Sequence, residues 1–287
     1  MPDTARNPLG VHALVWTGDW TAESSRFAIE STRATGFDLI EISLHDPETF
    51  DAAGTRRLLE DNGLAVACSL GLSPEADVSS DDPAVVRRGR ELLARALECA
   101  VGAGAGHLCG VLYSDLRKYM APVTEQGRAN VVEAMTWLAG EAVAAGVQLN
   151  LEVVNRYESN VVNTAAGMRR LIADTGASIG VHLDTYHMNI EEDGFVTPVE
   201  ETAAELGYVH IGESHRGYLG TGTIDFDAFF AALQSVDYTG PVVFESFSSA
   251  VVAAELSNKL GVWRNLWNDS QDLAAHAQAF MAQRLAR

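Results

Sequence analysis

The sequence predicts a (β/α)8 TIM barrel built as a single domain over residues 1–287. Three observations carry that expectation. Short apolar runs alternate with longer amphipathic stretches eight times, glycines recur where the helical patterns stop, and no linker breaks the series.

The strands fall at residues 10–15, 37–43, 64–71, 106–112, 147–153, 178–184, 207–212 and 241–246. Most are nearly continuous hydrophobic runs, as parallel strands covered on both faces require. Gly36, Gly63, Gly104, Gly146, Gly176 and Gly240 each lie between a helical pattern and the next strand. Glycine there supplies the left-handed residue that ends a helix. Asp82-Pro83 reads as an N-cap followed by proline at the first helical position. Residues 197–200, Thr-Pro-Val-Glu, read as a capping box. A last helix over 273–285 would close the ring. A doubly wound open sheet uses the same units, but no G-x-G-x-x-G follows any strand.

Hydrophobic residues make up 47% and charged residues 21%, ordinary for a soluble globular chain. The formal net charge of −19 repels phosphates and anionic membrane surfaces, so neither nucleic acid nor membrane is an expected partner. No run approaches the roughly 20 apolar residues of a membrane span. Residues 1–8 lack the apolar core of a secretion leader. Cys68, Cys99 and Cys109 have no C-x-x-C spacing and read as buried thiols, which suits a reducing cytoplasm.

In a barrel the active site forms at the C-terminal ends of the strands. There the last four strands carry Glu152, Asp184, His210 and Glu245, each embedded in an apolar run. The two-residue period puts Asn150 on the face of Glu152, His182 with Asp184, Tyr208 with His210, and Val243 with Glu245. Three carboxylates and one imidazole then aim at one point. Crowded carboxylates cannot all stay ionised without a cation among them. A mostly oxygen donor set with one nitrogen suits Mn²⁺ or Mg²⁺ better than zinc. Taken singly, each residue is more often an ion-pair partner or a core histidine. Their coincidence on four successive strands favours the metal site.

More polar residues follow these strand ends: Glu158, His187, Glu213 and Arg216. They can bond the hydroxyls of a polyol, or they are ordinary polar loop residues. His45, His107, His215 and His276 read as surface or structural.

Residues 152–158 (EVVNRYE), 183–192 (LDTYHMNIEE), 209–216 (VHIGESHR), 242–247 (VVFESF) and 261–264 (GVWR) resemble the D-tagatose 3-epimerase and D-allulose (D-psicose) 3-epimerase family. The likeness covers almost the whole chain and is nearest the D-allulose or L-ribulose 3-epimerase branch. It implies a metal-dependent ketose 3-epimerase, an isomerase of carbohydrate metabolism. Free ketoses would exchange C3 epimers: D-fructose with D-allulose, D-tagatose with D-sorbose, L-ribulose with L-xylulose. By position, Glu152, Asp184, His210 and Glu245 match the family's metal ligands. Glu152 and Glu245 match its proton-transferring pair. Glu158, His187 and Arg216 match residues that hold O1 and O2. The first strand, residues 11–16, offers His12 and Trp16 to the wall that grips the far end of the sugar, and it departs there from the family's aromatic pattern. A homodimer or homotetramer is implied, with Trp263 and Trp267 as candidates for an apolar contact or for core packing.

Three other readings compete. An aldose–ketose isomerase would use a similar metal on the same barrel. A metal-dependent phosphodiesterase resembling endonuclease IV would need several zinc ions, more histidines and a basic groove. A sugar-binding protein without catalysis would not need two flanking carboxylates.

Overall fold

Eight parallel strands pair in chain order and the last returns to the first, closing a barrel. This is a computed structural model, and it describes residues 7–286. Of residues 1–8, read for a leader, residues 1–6 therefore lie outside the described residues. The strands are β1 (Leu9–His12), β2 (Leu39–Ser43), β3 (Ala65–Ser69), β4 (His107–Gly110), β5 (Gln148–Glu152), β6 (Gly180–Asp184), β7 (Leu206–Ile211) and β8 (Val242–Phe244). Around them lie α1 (Ala22–Thr35), α2 (Ala52–Asn62), α3 (Pro83–Ala103), α4 (Glu125–Ala145), α5 (Ala165–Thr175), α6 (Thr185–Glu191), α7 (Val196–Thr202), α8 (Phe226–Ser235), α9 (Ala254–Lys259) and α10 (Ser270–Leu285). No helix is long and apolar enough to cross a membrane among the described residues.

Local chemistry sets most boundaries. Thr21, Thr124 and Thr164 accept from the third backbone N–H of α1, α4 and α5, and Asp82 caps α3 just before Pro83. Gly36, Gly63, Gly104, Gly146 and Gly176 all adopt positive φ at helix C-termini. Gly240 does not. The turn after α8 is instead made left-handed by Asp237, at φ 52°. Thr197 caps nothing, because α7 begins at Val196 with Phe195 at its N-cap and no side-chain cap. The expected first strand is also cut short. Residues Ala13–Val15 form a 3-10 turn capped by the His12 imidazole, whose Nδ1 accepts from Leu14 N at 3.2 Å.

Two apolar layers follow from the two-residue period. The larger packs the outward faces of the strands against the helices, with Ile40, Leu151, Val181 and Phe229 fully buried. Burying each such side chain stabilises the fold by about 2 kcal/mol. The smaller fills the barrel axis with Leu39, Ala67, Cys109, Tyr208 and Val243. A third cluster, Leu14, Phe247 and Val252 packed with Leu256, Leu260 and Val262, seats the segment around α9 on the barrel mouth. All three cysteines are free and buried.

Candidate active site

The barrel mouth holds a cavity of about 330 Å³, inside the roughly 300–1,000 Å³ range of small-molecule sites. Its floor is polar. Glu152 ends β5, and its carbonyl accepts from the Tyr113 hydroxyl at 2.7 Å, which fixes the strand end. Asp184 ends β6 and also caps α6: Oδ1 accepts from Tyr186 N at 2.8 Å. Oδ2 is left for the cavity, 3.5 Å from His187 Nε2 and 3.1 Å from the Arg216 guanidinium. His210 lies on β7, and its Nδ1 stands 3.7 Å from Glu152 Oε1 and 3.5 Å from Glu245 Oε1. Glu245, one residue beyond β8, takes Arg216 on Oε2 at 2.5 Å.

A residue that sequence reasoning missed organises this floor. Glu41 on β2 is fully buried and reaches across the barrel. Its Oε2 lies 2.6 Å from His210 Nε2 and accepts from the Tyr208 hydroxyl at 2.9 Å. His12 Nε2 is 3.5 Å from its other oxygen. Burial opposes the charge on Glu41, but His210 and His12 outweigh it and hold the carboxyl well below its usual range. The signal was present: Glu41 shares inward parity with Leu39 and Ser43 in an otherwise apolar strand.

The other ionisable groups are strongly perturbed. Burial pushes the Glu152 carboxyl up to about 8 and that of Glu158 up to about 7. Burial works against an imidazolium at His210, yet Glu41 and Glu245 push its pKa well above the usual value. Burial, helped by Arg216, drives His187 far the other way. Its tautomer follows from its neighbours. Asn155 N–H donates to His187 Nδ1 at 3.2 Å, so a neutral ring carries its proton on Nε2, facing Glu152, Asp184 and Glu158.

The donor set fits a divalent cation. Ligand atoms of Asp184, His210 and Glu245 lie within 4.8 Å of one another, as do those of Glu152, Asp184 and His187. His210 Nδ1 is buried without a hydrogen-bond partner among the described residues, while Nε2 is held by Glu41. One imidazole nitrogen oriented by a carboxylate, with the other bare, is how a metal-ligating histidine is usually prepared. His182 beneath the cluster is also buried with neither ring nitrogen bonded, and burial keeps it neutral.

Of the residues singled out from the sequence, Glu152, Asp184, His210, Glu245, Glu158, His187 and Arg216 come together here. His12 lines the cavity, although its Nδ1 is spent on the turn that follows it. Trp16 does not reach the cavity. The 3-10 turn swings it into the main core, edge-on to Phe27 at 6.4 Å. Glu213 faces its own loop, accepting from Ser214 N at 2.7 Å and Gly220 N at 2.9 Å, so it offers nothing to a sugar. His45, read as surface or structural, lines the cavity wall. Trp267 is buried and Trp263 is 77% exposed.

The family model for the xylose isomerase-like TIM barrel matches residues 29–283. The ketose 3-epimerase of Arthrobacter globiformis is 52% identical over 96% of each chain. The L-ribulose 3-epimerase of Methylomonas sp. (strain DH-1) is also 52% identical over 96% of each chain. This chain belongs to the ketose 3-epimerase family. Members of this family are isomerases, and the architecture agrees: a D-allulose 3-epimerase from Methylomonas sp., solved in complex with D-allulose, superposes with a TM-score of 0.95 at 51% identity over 98% of both chains.

Proposed function

We propose that this protein is a divalent-metal-dependent ketose 3-epimerase acting on free ketoses. The observation that carries the reading is a pair of overlapping donor groups, Asp184–His210–Glu245 and Glu152–Asp184–His187, with His210 Nδ1 bare and 3.7 Å from Glu152, at the floor of a sugar-sized cavity. Glu152, Asp184, His210 and Glu245 would hold Mn²⁺ or Mg²⁺. When bound, the cation would polarise the ketone and offset the negative charge that grows as C3 loses its proton.

The side chains supply the proton chemistry. Glu245, ion-paired to Arg216, takes the C3 hydrogen as a proton, and the C–H electron pair passes into a C2–C3 enediolate. Glu152, buried at the end of β5, returns a proton to C3 from the other side. The roles exchange for the reverse epimer. His187 donates from Nε2, and Glu158 and Arg216 complete the hold on O1 and O2.

Charge pairing favours a free ketose over a ketose phosphate. Among the described residues two basic side chains, Arg216 and Lys259, line the cavity. Arg216 is engaged by Asp184 and Glu245, and Lys259 is 2.9 Å from the buried Asp115. A phosphate would meet paired cations and a carboxylate floor. Relatives are named for L-ribulose and D-psicose, which supports a range from ketopentoses to ketohexoses: D-fructose/D-allulose, D-tagatose/D-sorbose and L-ribulose/L-xylulose. We further propose a cytoplasmic homodimer or homotetramer, on family resemblance.

The test is exchange in D₂O. Metal-stripped protein resupplied with Mn²⁺ should place deuterium at C3 of D-fructose, D-allulose, D-tagatose or L-ribulose and form the C3 epimer. Label at C1 or C2 with an aldose product would make the enzyme an aldose–ketose isomerase and overturn the proposal.

A further inference from the structure

Arg216 is one of two non-glycine residues with positive φ among the described residues, at 62°. The other, Asp237, follows a helix end, where a short polar side chain tolerates the left-handed region. Arginine has no such compensation, and strain of this kind persists only where surrounding contacts over-determine it. Those contacts are present. Arg216 N–H donates to the Glu213 carbonyl at 2.8 Å. The Arg216 carbonyl accepts from the Ser246 hydroxyl at 2.5 Å. The Ser246 oxygen in turn accepts from the Trp267 indole N–H at 2.9 Å. Ser246 is fully buried and Trp267 nearly so.

The same short segment therefore grips Arg216 at both ends. Glu245 holds the guanidinium, which stacks 3.7 Å above the Tyr186 ring, and Ser246 holds the backbone. Gly212 makes room: a Cβ there would stand 3.0 Å from Arg216 Nη1. If the backbone at 216 relaxed to a right-handed or extended conformation, the Cα–Cβ direction would swing. The guanidinium would then no longer meet Asp184 and Glu245.

We propose that Ser246 and Trp267 are positioning residues, a relay from the C-terminal segment that locks Arg216 in its left-handed conformation and so presents its guanidinium to the ketose oxygens. This rests on the reading of Arg216 as a substrate-binding group. Trp267 acts only through the Ser246 hydroxyl. The Ser246 side chain turns away from its neighbour Glu245, to the Arg216 carbonyl and the Trp267 indole.

The test compares Ser246→Ala, Trp267→Phe and the double variant, with Arg216→Met as control. Losing one buried hydrogen bond predicts KM for the preferred ketose about tenfold higher in Ser246→Ala, with kcat changed less than about threefold. Mn²⁺ affinity, read by chelator competition, should not weaken, because Asp184 and Glu245 would lose only a competing cation. Trp267→Phe should give a smaller rise, and the double variant should be no worse than Ser246→Ala, because the two lie on one path. A folded Ser246→Ala with wild-type KM would overturn the relay, as would KM, kcat and metal affinity all falling away together. If Ser246→Ala does not fold, Trp267→Phe decides: it keeps an aromatic side chain in the same place, removes the donor and leaves a small void, so a wild-type KM there overturns the relay too. Unchanged KM in Arg216→Met would instead remove Arg216 from substrate binding, which separates failure of that reading from failure of the relay.

Discussion

The two halves of the barrel do different work. The strands β5 to β8 each carry a residue of the candidate metal set at or within one residue of their C-terminal end, Glu152, Asp184, His210 and Glu245. The strands β1 to β4 offer the axis mostly neutral groups: Leu39, Ala67, Ser69 and Cys109. Their one deep carboxylate, Glu41, turns toward β7 and binds the imidazole of His210. So one half holds the reacting groups, and the other contributes packing plus one orienting carboxylate, bonded to both His210 and Tyr208. The division teaches that sharing a fold layer does not mean sharing chemistry. A carboxylate at a strand end acts according to what it faces.

The largest effect that could break this division lies in the first group. Glu152→Gln and Glu245→Gln keep shape and remove the proton carrier. Each should lower C3 exchange by about a thousandfold or more, since a single general acid–base group contributes roughly 10²–10⁴ and these also hold the cation. NMR of C3 deuteration measures it directly. Wild-type exchange in either variant would take that residue out of the mechanism.

Glu41→Gln probes the other half. The amide cannot carry the charge that Glu41 offers to His210 Nε2 at 2.6 Å. Outer partners of this kind are worth about 10–100-fold in metal affinity. Mn²⁺ affinity by chelator competition should fall by that factor, while substrate KM at saturating metal stays within about threefold. Unchanged affinity would reduce Glu41 to a buried structural carboxylate.

These two tests also mark what could be read from the chain alone. The eight strands, the five C′ glycines and the meeting of Glu152, Asp184, His210 and Glu245 at the barrel mouth were legible because each depends on short-range pattern: apolar runs, period two, one glycine per helix end. Glu41 carried the same pattern and was missed because its role is set by a partner 169 positions away. Trp16 misled for a local reason. Its strand ends at His12, whose imidazole starts a 3-10 turn, and the alternation in–out stops there. Arg216's left-handed backbone and the inward turn of Glu213 had no sequence signature, because both are imposed by tertiary contacts from Ser246 and Gly220.

Removing metal should convert the crowded floor into a pH-sensitive liability. Without a cation, folded Glu152 holds a proton up to about 8 and Glu158 up to about 7, while both are ionised in the unfolded chain. His210, raised well above 6.5, also keeps its proton in this range. The folded state therefore binds more protons than the unfolded one, and stability falls as pH rises. The opposing groups, His12, His45, His107, His182 and His187, are lowered in the folded state; their unfolded forms shed their remaining protons between pH 6.5 and about 7.5, which offsets part of this loss. From pH 6.5 to 8 the apo protein should lose about 2 kcal/mol, at roughly 1.4 kcal/mol per proton per unit. Saturating Mn²⁺ should raise the melting temperature most at the alkaline end, because bound metal replaces those protons. Melting curves across this window, with and without Mn²⁺, check it. An apo curve that stabilises with rising pH would mean the carboxylates are not crowded as described.

The smallest effect is expected at Trp16, and it sharpens the division from the side of packing. Its indole N–H is buried without a hydrogen-bond partner among the described residues, and its ring lies in the main core rather than on the cavity. Trp16→Phe removes an unsatisfied donor, which stabilises, and leaves a void smaller than the lost ring, which destabilises. The two terms oppose each other, so the net change in unfolding free energy should stay within about 1 kcal/mol. KM for D-fructose and L-ribulose should both move by less than about twofold. A rise confined to the ketohexose would show that this ring reaches the sugar's far end after all, and would give the β1 side of the barrel a share in substrate recognition that its buried position argues against.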